Sequence, residues 1–306
     1  MKFGLNMIMN KVIAVVVTYN RIKLLKQCVE ALQKQNYPCD IMIVNNNSGD
    51  GTETWAIEIS KQKDNIKYMN TGDNIGGAGG FNAGMRWAVE LGYEFIWLMD
   101  DDCMPYEDSL EELMIAHERL GGTYGWLSSI ALWKDGKECK MNRQKLKKSF
   151  YDYMELIQYG LVEAEQATFV SLFLNTPVVK KVGLPIKEFF IWGDDIEYTR
   201  RIAIRHKIAS FLVGKSKVIH LMENNSESNI AIDGVERIPR YSYAFRNENY
   251  LYRKEGWRGI VYYIARCGMS ILRVFKYSKK NKFKRCYIVL SSMVRGFFFN
   301  PKIERF

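Results

Sequence analysis

Proline and histidine are scarce in this chain of 306 residues, with six of the first and three of the second. So few prolines among 47% apolar residues exclude a collagenous or proline-rich disordered chain, and the length allows a sizeable core. The six cysteines, Cys28, Cys39, Cys103, Cys139, Cys267 and Cys286, form no C-x-x-C pair, so neither a zinc knuckle nor a disulfide framework is expected. Free thiols fit a cytoplasmic setting. No stretch reaches the roughly 20 uncharged apolar residues of a membrane span, because Arg266, Arg273 and Arg295 interrupt the C-terminal candidates. The first ten residues contain Lys2 but no apolar run of signal-peptide length.

Acidic residues are missing from one region only. Residues 237–306 hold 17 Lys and Arg against 3 Asp and Glu, a net of +14, whereas residues 1–236 hold 27 against 31, a net of −4. The formal charge of +10 therefore belongs to the last quarter of the chain. Two domains are expected: a slightly acidic unit over 1–236 and a basic helical region over 237–306.

From residue 12 to about 130, β-branched runs alternate with amphipathic stretches. Strands are expected at Val12–Thr18, Asp40–Val44, Ile66–Met69, Phe95–Met99 and Trp126–Leu132, and helices at Ile22–Gln35, Thr52–Lys61, Phe81–Leu91 and Asp108–Leu120. This alternation means βαβ units and a mostly parallel central sheet flanked by helices. Residues 134–165 show no clear period and read as a loop and helix excursion. An apolar run at Ala167–Leu174, a helix from about Asp194 to His206 and a strand ending at His220 follow.

In an open α/β sheet, ligands bind beyond the carboxyl ends of the strands. Those ends carry Thr18-Tyr19-Asn20-Arg21, Asn45-Asn46-Asn47-Ser48, the loop Asn74 to Gly80, and Asp100-Asp101-Asp102. Three adjacent carboxylates repel one another unless a cation is present. The triplet reads as a metal–diphosphate site or as a solvated acidic turn, and alternation along an extended turn makes Asp100 and Asp102 the pair to converge. The glycines do not complete G-x-G-x-x-G, since the third would fall at Asn82. They allow a close backbone approach to a phosphate, or merely tight packing.

A second acidic cluster, Asp194-Asp195-Ile196-Glu197, follows the aromatic approach Phe189-Phe190-Ile191-Trp192. Asp194 suits a helix cap. Asp195 is the expected general base beside an apolar sugar platform, with Trp192, Asp194 and Glu197 as acceptor contacts. His220, taken alone, is either a satisfied core histidine or a ligand that returns to the aspartates. A mixed Asp/His set favours Mn²⁺ or Mg²⁺ over zinc.

In this order the motifs resemble family 2 glycosyltransferases of the GT-A fold, and more narrowly the galactofuranosyltransferase and rhamnosyltransferase branch of bacterial polysaccharide synthesis, such as O-antigen and capsule. The resemblance covers about residues 12–225. It implies a donor site built from Thr18, Asn20, Arg21, Asn45, Asn47, Asn74, Gly77, Asp100 and Asp101. It further implies a metal held by Asp100, Asp102 and His220, and Asp195 as the base of an inverting displacement. The implied donor is UDP-galactofuranose, or alternatively dTDP-rhamnose. The family usually has Asp where Asn45 stands. A non-catalytic sugar or nucleic-acid binder on a decayed transferase fold is the reading of another class; retention of both acidic clusters argues against it.

In the basic region a helical wheel at about 100° per residue gathers Arg258, Arg266, Arg273, Lys276, Lys280 and Lys284 on one arc, with Ile260, Ile264, Ile271 and Phe275 opposite. An anionic membrane surface is the expected partner, beside a lipid-linked glycan acceptor. Packing within a homo-oligomer and nucleic-acid binding are the alternatives. The enzyme is then expected on the cytoplasmic face of the membrane.

Overall fold

The computed structural model describes residues 11–148 and 150–306. The reading of the first ten residues lies outside them. The first half follows the sequence pattern closely. Strand β1 (Val12–Thr18) is buried along its whole length, as expected of a β-branched run covered on both faces. Helix α1 (Ile22–Gln33) leads to β2 (Asp40–Asn45), and α2 (Thr52–Gln62) leads to β3 (Ile66–Asn70). Helix α3 (Gly76–Glu90) then leads to β4 (Phe95–Asp100). Register pairs β1 in parallel with β2 and with β4, and β2 in parallel with β3. The ends of β1, β2, β3 and β4 therefore open on one edge.

Helix α3 begins at Gly76, five residues before the expected start at Phe81, so the glycines form its first turns rather than a loop. Gly76 has φ +75°, and a Cβ there would collide with the Phe190 carbonyl. Only glycine allows this approach.

The second half departs further from the pattern. A short strand β5 (Cys103–Pro105) precedes α4 (Ser109–Arg119) and β6 (Leu127–Trp133). The excursion contains β7 (Lys145–Leu146), a 3₁₀ segment and β8 (Leu161–Gln166). Strand β9 (Leu172–Asn175) lies between β4 and β6, antiparallel to both. Helix α5 (Thr176–Val182) is capped by Asn175, whose side chain accepts from the Val178 N–H. Helix α6 (Asp194–Arg200) runs on as a π-type turn over Arg201–Arg205. Strand β10 (Phe211–His220) pairs in parallel with β6 and antiparallel with β5, which sets His220 opposite Cys103 and next to the aspartates.

The basic region forms three helices, α7 (Tyr241–Lys254), α8 (Trp257–Tyr277) and α9 (Lys282–Phe298). They pack on the sheet-bearing part of the chain. Arg200 and Glu255 form a two-pronged ion pair, both contacts at 2.7 Å, and the Glu304 carbonyl accepts from the Leu184 N–H at 2.9 Å. The continuous wheel does not survive: α8 ends at Tyr277, and Asn281 at φ +60° turns the chain before α9. Arg266 pairs with Glu248. Ile260 and Ile271 are half-buried, while Ile264 and Phe275 face solvent.

Candidate active site

Side-chain contacts join the strand ends into one crevice. The Thr18 hydroxyl donates to Asp101 Oδ2 at 2.7 Å. Arg21 donates to Asp101 Oδ1 at 3.2 Å and to Asp102 Oδ2 at 2.8 Å. Asn46 Nδ2 donates to the Gly76 carbonyl at 3.0 Å, and the Ala78 N–H donates to the Phe190 carbonyl at 3.2 Å. The glycine turn thus joins the second strand end to the aromatic loop that carries Asp195.

A cation-sized cluster sits at the centre. Ligand atoms of Asp100, Asp102, Cys103 and His220 lie within 4.8 Å of one another. Asp102 Oδ1 is 3.0 Å from His220 Nε2 but lacks hydrogen-bond alignment, and it is buried with no hydrogen-bond partner. The other ring nitrogen, Nδ1, lies 2.8 Å from Asn142 Oδ1, which leaves Nε2 turned to the carboxylates. A buried orphan oxygen facing an imidazole nitrogen beside the Asp100 carboxylate suits a hard divalent ion. Cys103 is a poor ligand here, because burial and then the charges of Asp102 and Asp100 push its thiol well above the ordinary range.

The electrostatics agree. Burial and then the Asp102 charge push Asp100 up to about 7, and burial pushes Asp101 up to about 6 against the pull of Arg21. For His220, burial works downward, but Asp102, Cys139 and Asp100 raise it to about 10. Without a metal, a proton and Arg21 offset these carboxylates.

The second acidic motif opens α6 behind Gly193, which has φ +89°. Burial lifts Asp195 to about 6, partly offset by backbone N–H donors led by Ile196. Asp194 is pushed well above its ordinary value by burial, then by Asp195 and Asp100. The two acidic motifs are therefore close enough to repel.

Several expected contacts take other roles. Glu197 is 1% exposed. Arg201 Nε donates to its two oxygens at 3.0 and 3.1 Å, and Arg205 reaches it at 3.3 Å. Such a carboxylate is not free to grip an acceptor hydroxyl, which corrects that expectation: it anchors Arg201, which in turn donates to the Val182 and Leu184 carbonyls. Asn45 is fully buried. Its Oδ1 accepts from the Ser48 N–H at 2.9 Å and its Nδ2 donates to the Tyr68 hydroxyl at 3.0 Å, so it shapes the turn rather than meeting a base. Asn74 Oδ1 accepts from the Gly76 N–H, and Asn20 Oδ1 accepts from the Gly49 N–H. Asn47 is exposed at φ +58°, and a Cβ at Gly77 would meet nothing within 4 Å. Arg21 stays half-exposed at the rim.

Two residues escaped the sequence reading. Asn142 orients His220, and it lies in the aperiodic excursion where no motif marks it. Asn247 on α7 is fully buried, and its Nδ2 donates to the carbonyls of Phe189, Ile191 and Trp192 at 3.0, 3.3 and 2.8 Å. Phe190 and Trp192 both hold φ +63°, a costly backbone state that the surroundings must impose.

The glycosyl transferase family 2 model matches residues 13–154, the segment that carries the first acidic motif. Residues 13–154 thus carry a family 2 glycosyltransferase domain. The chain is 24% identical over 265 residues to galactofuranosyltransferase GlfT1 of Mycolicibacterium smegmatis, covering 82% of this chain and 85% of that one. Among solved structures it resembles S. aureus TarS in complex with UDP at a TM-score of 0.54 and 14% identity, over 94% of this chain and 72% of TarS. It also resembles GalNAc-T7 with UDP, GalNAc and Mn²⁺ at a TM-score of 0.60 and 12% identity, over 81% of this chain and 50% of that one. The transferase has the GT-A fold of these neighbours.

Proposed function

We propose that this transferase moves galactofuranose from UDP-galactofuranose onto a hydroxyl of a growing, lipid-linked cell-surface polysaccharide, with inversion at the anomeric carbon. The observation that carries the reading is the meeting of the Asp100, Asp102 and His220 cluster with the loop of Asp195 across the glycine turn. The likeness to GlfT1 over most of both chains supports the sugar.

Asp195 accepts the proton of the acceptor hydroxyl as that oxygen attacks the anomeric carbon. The bond from that carbon to the diphosphate oxygen breaks, and the electron pair leaves with UDP. A carboxyl raised to about 6 suits this task at neutral pH, being ionised yet more basic than an exposed aspartate. Mn²⁺ or Mg²⁺ bound by Asp100, Asp102 and His220 would neutralise charge on the departing diphosphate. Thr18 holds Asp101; Arg21, at the rim, is within reach of an anionic donor. Asp194, whose carboxyl is pushed well above its ordinary value by burial and then by Asp195 and Asp100, lies next to the base. Trp192 lies edge-on to Tyr241 with ring centroids 5.0 Å apart, forming one wall of the acceptor side. The free cysteines suit reaction on the cytoplasmic side.

A thermal-shift panel of sugar nucleotides with Mn²⁺, followed by UDP release, tests the reading. Stabilisation and turnover with UDP-galactofuranose are expected. Selective response to dTDP-rhamnose would move the enzyme to the rhamnosyl branch, and no turnover with any sugar nucleotide would favour a non-catalytic binder.

A further inference from the structure

Helices α8 and α9 each bury one narrow stripe and leave another apolar stripe in solvent. On α8 the inward positions are Gly259, Tyr263, Cys267 and Val274, while Trp257, Val261, Ile264, Leu272 and Phe275 are exposed. On α9 the exposed set is Phe283, Tyr287, Leu290, Val294 and Phe298, of which Phe283 and Phe298 are each 85% exposed. Spacings of three, four and eight residues put each set on one helix face. Single exposed apolar residues need no explanation, whereas two long stripes on neighbouring helices do. They are not membrane spans, since no helix among the described residues is long and apolar enough to cross a bilayer.

The charge around these stripes selects the partner. All three carboxylates of residues 237–306 are already taken: Glu248 by Arg266 at 2.8 Å, Glu255 by Arg200 at 2.7 Å, and Glu304 by Arg86 at 2.8 Å and by Lys187. Arg258, Arg273, Lys276, Lys279, Lys280 and Lys284 are exposed and have no carboxylate of this region left to meet. A second copy docked here by a two-fold axis would set basic residues against basic residues. Nucleic acid would satisfy the cations but leave Val261, Leu272, Leu290 and Val294 without contacts. An anionic lipid surface satisfies both, with headgroups for the cations and the acyl boundary for the stripes.

We propose that the outward face of α8 and α9 is a docking surface for an anionic bilayer, and that it holds the transferase peripherally on the membrane. The surface acts whichever sugar is transferred. Helix α7 connects it to chemistry, since the helix that both α8 and α9 pack on also holds the Trp192 loop.

The test is co-sedimentation of the full chain with vesicles of phosphatidylcholine alone or mixed with phosphatidylglycerol. Binding to the mixed vesicles that weakens with salt is expected, with little binding to phosphatidylcholine. Leu272→Glu with Leu290→Glu, both at exposed positions, should lower binding about tenfold, as should Lys279→Glu with Lys280→Glu. Melting temperature and UDP release with a soluble acceptor should stay unchanged in both variants, so failure of the docking surface is readable apart from failure of the sugar assignment. Wild-type protein left in the supernatant, or variants that bind as well as wild type, would overturn the proposal. A wild-type dimer that the leucine variant converts to monomer would reassign the face to a second copy. Binding of single-stranded RNA without vesicle binding, lost in the lysine variant, would reassign it to nucleic acid.

Discussion

Asn247 donates its side-chain amide to the Trp192 carbonyl at 2.8 Å, across 55 residues of sequence. The same nitrogen also reaches the carbonyls of Phe189 and Ile191. One buried amide from the basic region therefore closes the loop that delivers Asp195.

Asn247→Ala removes that clamp and leaves buried carbonyls unpaired, at a cost of about 1–3 kcal/mol of stability. Because the strained backbone of Phe190 and Trp192 then relaxes, kcat should fall while the donor KM changes little. Steady-state kinetics with a melting curve check this; an unchanged kcat would make the clamp purely structural.

Asp195→Asn should lower kcat by about a hundred- to ten-thousand-fold with donor binding retained. Its melting temperature should not fall. Burial raises the folded pKa of Asp195 to about 6, above the ordinary carboxylate value, so ionising it above that pH costs stability that the amide does not lose. In the wild type, kcat/KM should be flat above the pKa and decline as pH falls through about 6, because the base must be unprotonated. Near-normal turnover in the variant would require another base.

Metal binding should release protons. His220 is held protonated up to about 10 by its neighbours, and Asp100 titrates near 7; a cation competes with both protons. Calorimetric titration of Mn²⁺ at neutral pH in buffers of different ionisation enthalpy should show proton release, and apparent affinity should fall with pH. Asn142→Ala, which frees the His220 ring, should weaken Mn²⁺ by about ten- to a hundredfold. Equal affinity would remove Asn142 from the site.

Breaking the buried pair of Glu197 and Arg201 is a test of folding rather than of acceptor binding. Arg201→Met leaves a carboxylate at 1% exposure with only the longer 3.3 Å contact to Arg205 and should cost up to about 3–5 kcal/mol. Glu197→Gln should destabilise the fold with the acceptor KM unchanged in whatever protein folds. Denaturant melts and acceptor titrations separate the two effects.

The sequence alone determined the first half of the sheet, because β-branched runs and amphipathic repeats are local signals that β1 to β4 and α1 to α4 obey within a few residues. It also determined which loops carry carboxylates, since strand ends in parallel sheets open on one edge. Tertiary structure decided what those side chains do. Glu197 reads like a hydroxyl ligand until Arg201, four residues on, is seen to take both its oxygens. Asn45 reads like a base contact until Ser48 and Tyr68 are seen to take both ends of its amide. Asn142 and Asn247 carry no motif, because their partners lie 78 and 55 residues away in sequence, and packing alone brings them together. The basic region shows the same division. Composition alone fixed its charge, whereas only the folded helices showed that its acids are spent in internal pairs and that its apolar stripes face outward.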